Sequence, residues 1–246
     1  MSSISLRKQQ VINLKKEVGI GGVKAQVVLA LDFSGSMEGL YNNGTVQSTL
    51  ERILPIGLAF DDNEEVDFYL FHDSFIKVDP NITLSTIGGL AASVKKKYRM
   101  GGTNYAPVLN KIIQEYRPHT AEVNAGGIRG FFGKTETKVE AARYPVYVIM
   151  ITDGANFDKE ATKSAIIEAS KLNIFIQFVG IGPDRGEFKF LEKLDENLLG
   201  KALDNVNFMY IKDLNEISDD ALYRGLMTEF PTWFKQAVAK KICQPQ

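Results

Sequence analysis

Residues Val23 to Ser36, which read VKAQVVLALDFSGS, join a short apolar run to a polar turn. The run ends abruptly at Asp32, and the turn that follows carries Ser34, Gly35 and Ser36. Strands that are covered on both faces of a sheet have nearly continuous aliphatic sequences of this kind. The stretch therefore predicts a buried strand that ends in a cluster of oxygen-bearing side chains.

The same pattern returns at Pro145–Ile151 (PVYVIMI), which runs directly into Thr152, Asp153 and Gly154. Short apolar runs and helical spacings alternate along the rest of the chain. Further strands are predicted at Val66–Phe71, Ser74–Val78, Asn173–Val179 and Val206–Ile211. Helices are predicted at Val46–Phe60, Leu84–Tyr98, Tyr105–Tyr116 and Asp158–Leu172, with Asp158 as an N-cap, and after Asp213 and Pro231.

Strands that alternate with helices form right-handed crossovers and a mostly parallel sheet. We therefore predict an α/β fold, a three-layer sandwich with a doubly wound, mainly parallel central sheet. Ser74–Val78 is predicted to be its one antiparallel edge strand.

The 246 residues are enough for one α/β domain or for two small ones. We predict a lead-in segment at residues 1–22 and a single domain at residues 23–246. Residues 117–143 are predicted to be a long loop, because they show no strand or helix pattern. Within that loop, the glycine-flanked Phe131 and Phe132 are a candidate second contact surface.

The formal net charge of −1 provides no general attraction to nucleic acid or to anionic membranes. Cys243 is the one cysteine, which excludes an internal disulfide and a multi-cysteine metal site. The first residues lack the apolar core of a signal peptide, and no apolar run approaches the roughly 20 residues of a membrane span. These features predict a cytoplasmic protein that does not insert into a membrane.

Three polar clusters fall at the edge of the sheet where its strands end, which is where doubly wound sheets bind ligands. They contribute two carboxylates and three hydroxyls, from Asp32, Ser34, Ser36, Thr103 and Asp153. Mg²⁺ and Mn²⁺ prefer oxygen ligands, and Ca²⁺ is a further candidate. Because three of the five donors are neutral, we expect the cation to attract an incoming carboxylate at an open position.

The Asp32-x-Ser34-x-Ser36 turn, the later Thr103 and the Thr152-Asp153-Gly154 turn resemble the metal-ion-dependent adhesion site of von Willebrand factor A domains. All five candidate ligands match that site in order. The resemblance covers about residues 23–230. It implies a non-catalytic module that binds a protein partner, whose Asp or Glu side chain completes the metal shell.

Within that family, the chain resembles bacterial A domains associated with tellurium-resistance proteins. The segment from Ser5-Leu6-Arg7-Lys8 to Val18 is similar to the short lead-in found there. This resemblance implies a role in a stress-response or metal-resistance complex.

Two other functions remain open from the residues. A magnesium-dependent phosphoester hydrolase could use Asp32 as its nucleophile, but such enzymes need a second acid two residues later, where this chain has Ser34. The third candidate is a structural scaffold whose metal site no longer functions, which would bind its partner in the presence of a chelator.

Overall fold

The computed structural model describes residues 3–61, 64–118, 120–124 and 135–246. Six strands form the central sheet in the order β3-β2-β1-β6-β7-β8, and only β3 is antiparallel to its neighbour. The strands are β1 (Gln26–Asp32), β2 (Val66–Phe71), β3 (Phe75–Ile82), β6 (Val146–Thr152), β7 (Ile174–Ile181) and β8 (Val206–Ile211). The predicted mainly parallel sheet with one antiparallel edge strand is confirmed.

Helices cover both faces of this sheet. They are α1 (Ser3–Glu17), α2 (Glu38–Asn42), α3 (Thr45–Phe60), α4 (Leu90–Lys97), α5 (Ala106–Tyr116), α6 (Lys159–Ala169), α7 (Lys189–Glu196), α8 (Asp219–Leu226) and α9 (Phe230–Ala239). Short 3-10 turns lie at Gly35–Met37 and Arg185–Phe188. Among the described residues, no helix is long and apolar enough to cross a membrane.

Alternate side chains of β1 enter two separate hydrophobic cores. Leu29 and Leu31 belong to the core that includes residues of α1, α3, α4, α8 and α9. Val28 and Ala30 belong to the core on the other face, which includes residues of α5, α6 and α7. Because both faces are buried, the strand needs the continuous apolar sequence from which it was predicted.

The helix predicted at Leu84–Tyr98 begins only at Leu90. Gly89 precedes it with φ +72°, a left-handed conformation that glycine adopts without strain. Upstream, Thr83 and Thr86 form a turn through a hydrogen bond of 2.9 Å from the Thr83 amide to the Thr86 hydroxyl. β3 is correspondingly longer than predicted and reaches Ile82.

The region predicted to be one long irregular loop, residues 117–143, contains two short antiparallel strands. These are β4 (Thr120–Asn124) and β5 (Thr135–Val139), which pair from Thr120–Val139 to Asn124–Thr135. Their threonine and valine residues favour strands. The candidate contact residues Phe131 and Phe132 lie outside the described residues.

The lead-in segment contains helix α1, which packs against α3. Its Val11 and Leu14 are buried in the core that α3 also enters. Lys15 is buried too, and its Nζ donates to the carbonyls of Val23 and Ala59 at 2.8 Å each. Burial lowers the pKa of this lysine to about 8.

Candidate metal centre

Asp32 and Thr152 end the neighbouring parallel strands β1 and β6, so their side chains meet at one edge of the sheet. The Thr152 hydroxyl donates to Asp32 Oδ2 at 2.7 Å. The other carboxylate oxygen, Oδ1, accepts the Ser34 amide at 2.9 Å. Asp32 is 0% exposed, so its carboxylate is held in one orientation inside the protein.

The turn after β1 brings two hydroxyls together. The Oγ atoms of Ser34 and Ser36 are 3.0 Å apart, with Ser34 buried and Ser36 exposed. Tyr41 fixes the start of this turn, because its hydroxyl donates to the main-chain carbonyl of Asp32 at 3.0 Å. The turn therefore offers two adjacent oxygens beside a buried carboxylate.

Thr103 lies in a loop that is joined to this turn by main-chain hydrogen bonds. The Gly35 amide donates to the Gly101 carbonyl at 3.0 Å, and the Gly101 amide donates to the Phe33 carbonyl at 3.3 Å. Thr103 is itself buried, and its carbonyl accepts the Phe157 amide at 3.0 Å. The loop of Thr103 thus contacts both the Ser34 turn and the loop that follows β6.

Asp73 is a residue of this region that the sequence analysis missed. Its Oδ2 accepts the Gly102 amide at 2.8 Å. A Cβ atom at Gly101 or Gly102 would lie within 2.5 Å of the Asp73 carboxylate, so a larger residue at either position would force the Asp73 side chain to move. The available signal was an acidic residue just after β2, at the same sheet edge as Asp32.

Asp153 presents an oxygen without a partner. Its Oδ1 is buried and has no hydrogen bond within the described structure. Burial raises the pKa of Asp32 to about 7, and the nearby Asp153 carboxylate adds to that increase. A buried acceptor beside a second buried carboxylate is costly unless a cation or a donor compensates them.

The five candidate ligands include only two carboxylates, so they could hold a hard cation only if their hydroxyl oxygens also bind it. Among the described residues, no group of three or more His, Cys, Asp or Glu side chains is placed to hold a metal. The Asp32 carboxylate lies beside Ser34 and near the Asp153 carboxylate, and Ser34 contacts Ser36. Carboxylate and hydroxyl oxygens suit Mg²⁺ or Mn²⁺. The structure brings the loops of all five candidate ligands together, with Thr103 joined to its neighbours through main-chain contacts.

Asp158 has a different role from the one predicted. It precedes α6 as expected, but its carboxylate makes no capping hydrogen bond to that helix's main chain. It accepts instead the amides of Tyr105 and Ala106, at 3.0 and 2.8 Å, where α5 begins. The Tyr105 hydroxyl also hydrogen-bonds the Thr152 hydroxyl at 3.0 Å. These contacts therefore join the loop of Thr103 to the loop that follows β6.

A family model described as a vWA domain found in the TerF C terminus matches residues 24–125 and 132–243. The chain belongs to this vWA-TerF-like family. A relative of this vWA-TerF-like chain is the uncharacterised protein YcbR of Bacillus subtilis (strain 168), which is 34% identical over 249 residues. That alignment covers 100% of this chain and 92% of the relative.

Two solved structures resemble this vWA-TerF-like chain in fold. One is an aerotolerance-related membrane protein from Bacteroides fragilis, with a TM-score of 0.50 and 16% identity, covering 86% of this chain and 100% of that one. The other is the SpRpn10 VWA domain, with a TM-score of 0.50 and 11% identity, covering 81% and 94%. At these identities the likeness shows the fold alone, which agrees with the predicted von Willebrand factor A architecture.

Proposed function

We propose that this chain is a non-catalytic module that binds a protein partner through a divalent cation. The unpaired, buried Oδ1 of Asp153 beside the buried carboxylate of Asp32 is the observation that carries this proposal. Asp32, Ser34, Ser36, Thr103 and Asp153 would hold the cation, which when bound supplies a positive charge that attracts a carboxylate. Mg²⁺ is the first candidate, followed by Mn²⁺ and Ca²⁺.

The residues around the cation determine what the partner must offer. An octahedral shell has about six positions, so five protein ligands leave room for an Asp or Glu side chain of the partner. Phe157 lies in the same loop as Asp153 and is 78% exposed. An exposed aromatic side chain beside a charged contact is typical of the apolar anchor of an interface. We therefore expect the partner to place an apolar residue next to its acidic one.

Asp32 acts in this proposal as a ligand and not as a nucleophile. Both of its oxygens accept hydrogen bonds, from the Ser34 amide and the Thr152 hydroxyl, and the residue is fully buried. A phosphoester hydrolase of this type also needs a second acid two residues after its nucleophile, and this chain has Ser34 there. The hydrolase alternative predicts turnover of p-nitrophenyl phosphate with Mg²⁺ that Asp32→Asn abolishes, and we expect no such turnover.

Isothermal titration with MgCl₂ and MnCl₂ tests the metal site. We expect saturable heats for the wild type and at least a tenfold loss of affinity, about 1.4 kcal/mol, in Asp153→Asn. This variant removes one negative charge, and because Oδ1 accepts no hydrogen bond, no hydrogen bond to that atom is lost. Asp213→Asn is the matched control, because it removes one charge from the same sheet edge after β8. Equal heats in all three proteins would exclude the proposed ligand set.

The family description also supports a biological setting. Because related domains occur at the TerF C terminus, we propose that the chain acts in a tellurium-resistance or metal-stress complex. A strain that lacks the chain should then grow more poorly on tellurite, and Asp153→Asn should fail to restore growth. Unchanged growth of the deletion strain would argue against this setting while leaving the metal site untouched.

A further inference from the structure

A surface groove lies between α6 and α7, on the face of the sheet that α5 also covers. Its volume is about 750 Å³. Phe190, Leu194 and Ile167 provide an apolar floor, of which Leu194 is buried and Ile167 half-buried. Leu199 stands at the groove and is 87% exposed, the largest exposed fraction among the described large apolar side chains. The volume of this groove lies within the range of roughly 300–1,000 Å³ found for ligand sites.

Four lysines line the groove in two pairs. Lys159 and Lys163 belong to α6, and Lys189 and Lys193 belong to α7. Because residues four positions apart lie on the same face of a helix, each pair forms a row along the groove. Glu160 is the one acidic residue among the described residues that line it, and it pairs with Lys163 at 2.7 Å. The groove therefore carries a net positive charge.

Three of these lysines have no acidic partner. Within the described residues, Lys159, Lys189 and Lys193 form no ion pair. Lys159 instead places its Nζ over the ring of Phe190, 5.5 Å from the ring centroid. Lys159 is also the first residue of α6, where the helix dipole disfavours positive charge. Helix stability does not account for its position, whereas an anionic ligand would.

We propose that this groove binds an acidic amphipathic segment of a protein partner. The apolar face of the segment would lie on Phe190 and Leu194, and its carboxylates would face the two lysine rows. This contact goes beyond the metal-dependent one and needs no cation. The two surfaces are adjacent in the chain, because Lys159 follows the exposed Phe157 by two residues.

Fluorescence anisotropy with a labelled synthetic peptide tests the proposal. The probe is an amphipathic peptide of about 18 residues, some 27 Å long as a helix, with leucine on one face and glutamate on the other. In EDTA, we expect saturable binding to the wild type and at least a tenfold weaker Kd for Lys189→Ala/Lys193→Ala. The matched control is Lys96→Ala/Lys97→Ala, which removes the same charge from α4 on the opposite face of the sheet. This control should bind like the wild type.

A charge reversal keeps the test independent of folding defects. Lys189→Glu/Lys193→Glu should lose the glutamate peptide and bind a peptide in which lysine replaces each glutamate. Asp153→Asn should bind the glutamate peptide normally in EDTA, so a failure of the groove is distinguishable from a failure of the metal site. Equal losses in the groove and α4 variants would overturn the proposal. So would preferential binding of phosphatidylglycerol vesicles or of a single-stranded oligonucleotide, or self-association of the chain through the groove.

Discussion

Burial raises the pKa of the Asp32 carboxyl to about 7, because the charged form loses the water that would solvate it. In the proposed metal site, a bound positive charge would compensate the same loss. The hydrogen bonds from Ser34 and Thr152 favour the charged form and hold the carboxylate in one orientation.

Glu229 allows a pH dependence to be predicted away from the metal site. Burial, followed by the nearby Asp195 and Asp204 carboxylates, raises its pKa to about 7 from a model-peptide value of 4.5. The folded state therefore binds more protons than the unfolded state between those values, and its contribution to stability falls as the pH rises through this window. Glu229→Gln should raise the free energy of unfolding by about 1 kcal/mol at pH 8.5, after discounting for solvent screening.

Urea unfolding at pH 8.5 and pH 5 checks this difference. The gain in Glu229→Gln should shrink at pH 5, where the wild-type side chain is largely protonated in the folded protein. Glu216→Gln is the control, because it removes one charge from an exposed position. A gain of equal size at both pH values would show that Glu229 is not the titrating group.

The candidate ligands could be predicted from sequence because they lie beside local signals, such as the end of an apolar run or a pair of glycines. Asp32 and Asp153 come at the ends of apolar runs, and Thr103 follows two glycines. The sequence does not show that Thr152 donates to Asp32 or that Asp73 accepts the Gly102 amide. These contacts join residues 120 and 29 positions apart in the chain, so they exist only once the sheet has formed.

At the level of elements, the strands were easier to predict than the ends of the helices. A strand buried on both faces needs a continuous apolar sequence, as in β1 and β6, and that signal is local. The start of α4 depends instead on Gly89, whose left-handed conformation ends the preceding turn. The β4–β5 pair was missed because its short strands alternate polar and apolar residues only weakly. The capping of α5 by Asp158 depends on the packing of one loop against another.

The contact between Asp158 and α5 gives a prediction at this scale. Asp158→Ala removes the acceptor for the Tyr105 and Ala106 amides and should lower the free energy of unfolding by about 1–2 kcal/mol. Because Thr103 lies three residues before Ala106, where α5 begins, Mg²⁺ affinity should fall as well. Urea unfolding and titration calorimetry measure the two effects, with Glu160→Ala as an exposed acidic control in the next helix. Loss of stability with unchanged Mg²⁺ affinity would show that α5 does not position Thr103.

Across the whole molecule, α1 is tied to two distant segments. Arg7 of α1 and Arg52 of α3 both bind the Asp219 carboxylate of α8, each at 2.8 Å. Val11 and Leu14 add apolar contacts to the same side of the molecule. The sequence predicted residues 1–22 as a lead-in but could not show this packing, since the helix has only a few widely spaced apolar residues.

Val11→Ala/Leu14→Ala tests how far the domain depends on that helix. Both side chains are almost completely buried, so their loss should reduce the free energy of unfolding by about 4 kcal/mol. Gln9→Ala/Gln10→Ala is the control on the same helix, because both glutamines are exposed. Chemical denaturation of the three proteins gives the comparison, and similar midpoints for both double variants would mean that α1 contributes little.

Main-chain pairing of Ser34 with Gly101 sets the shape of the candidate metal centre, independently of which side chains would bind the ion. Peptide groups, which every residue carries, set the path of these two loops. A relative that replaced one hydroxyl ligand could therefore keep the same outline at the sheet edge while losing its affinity for the ion. Inactive and active members of such a lineage would be hard to tell apart by backbone superposition, and calorimetry would distinguish them.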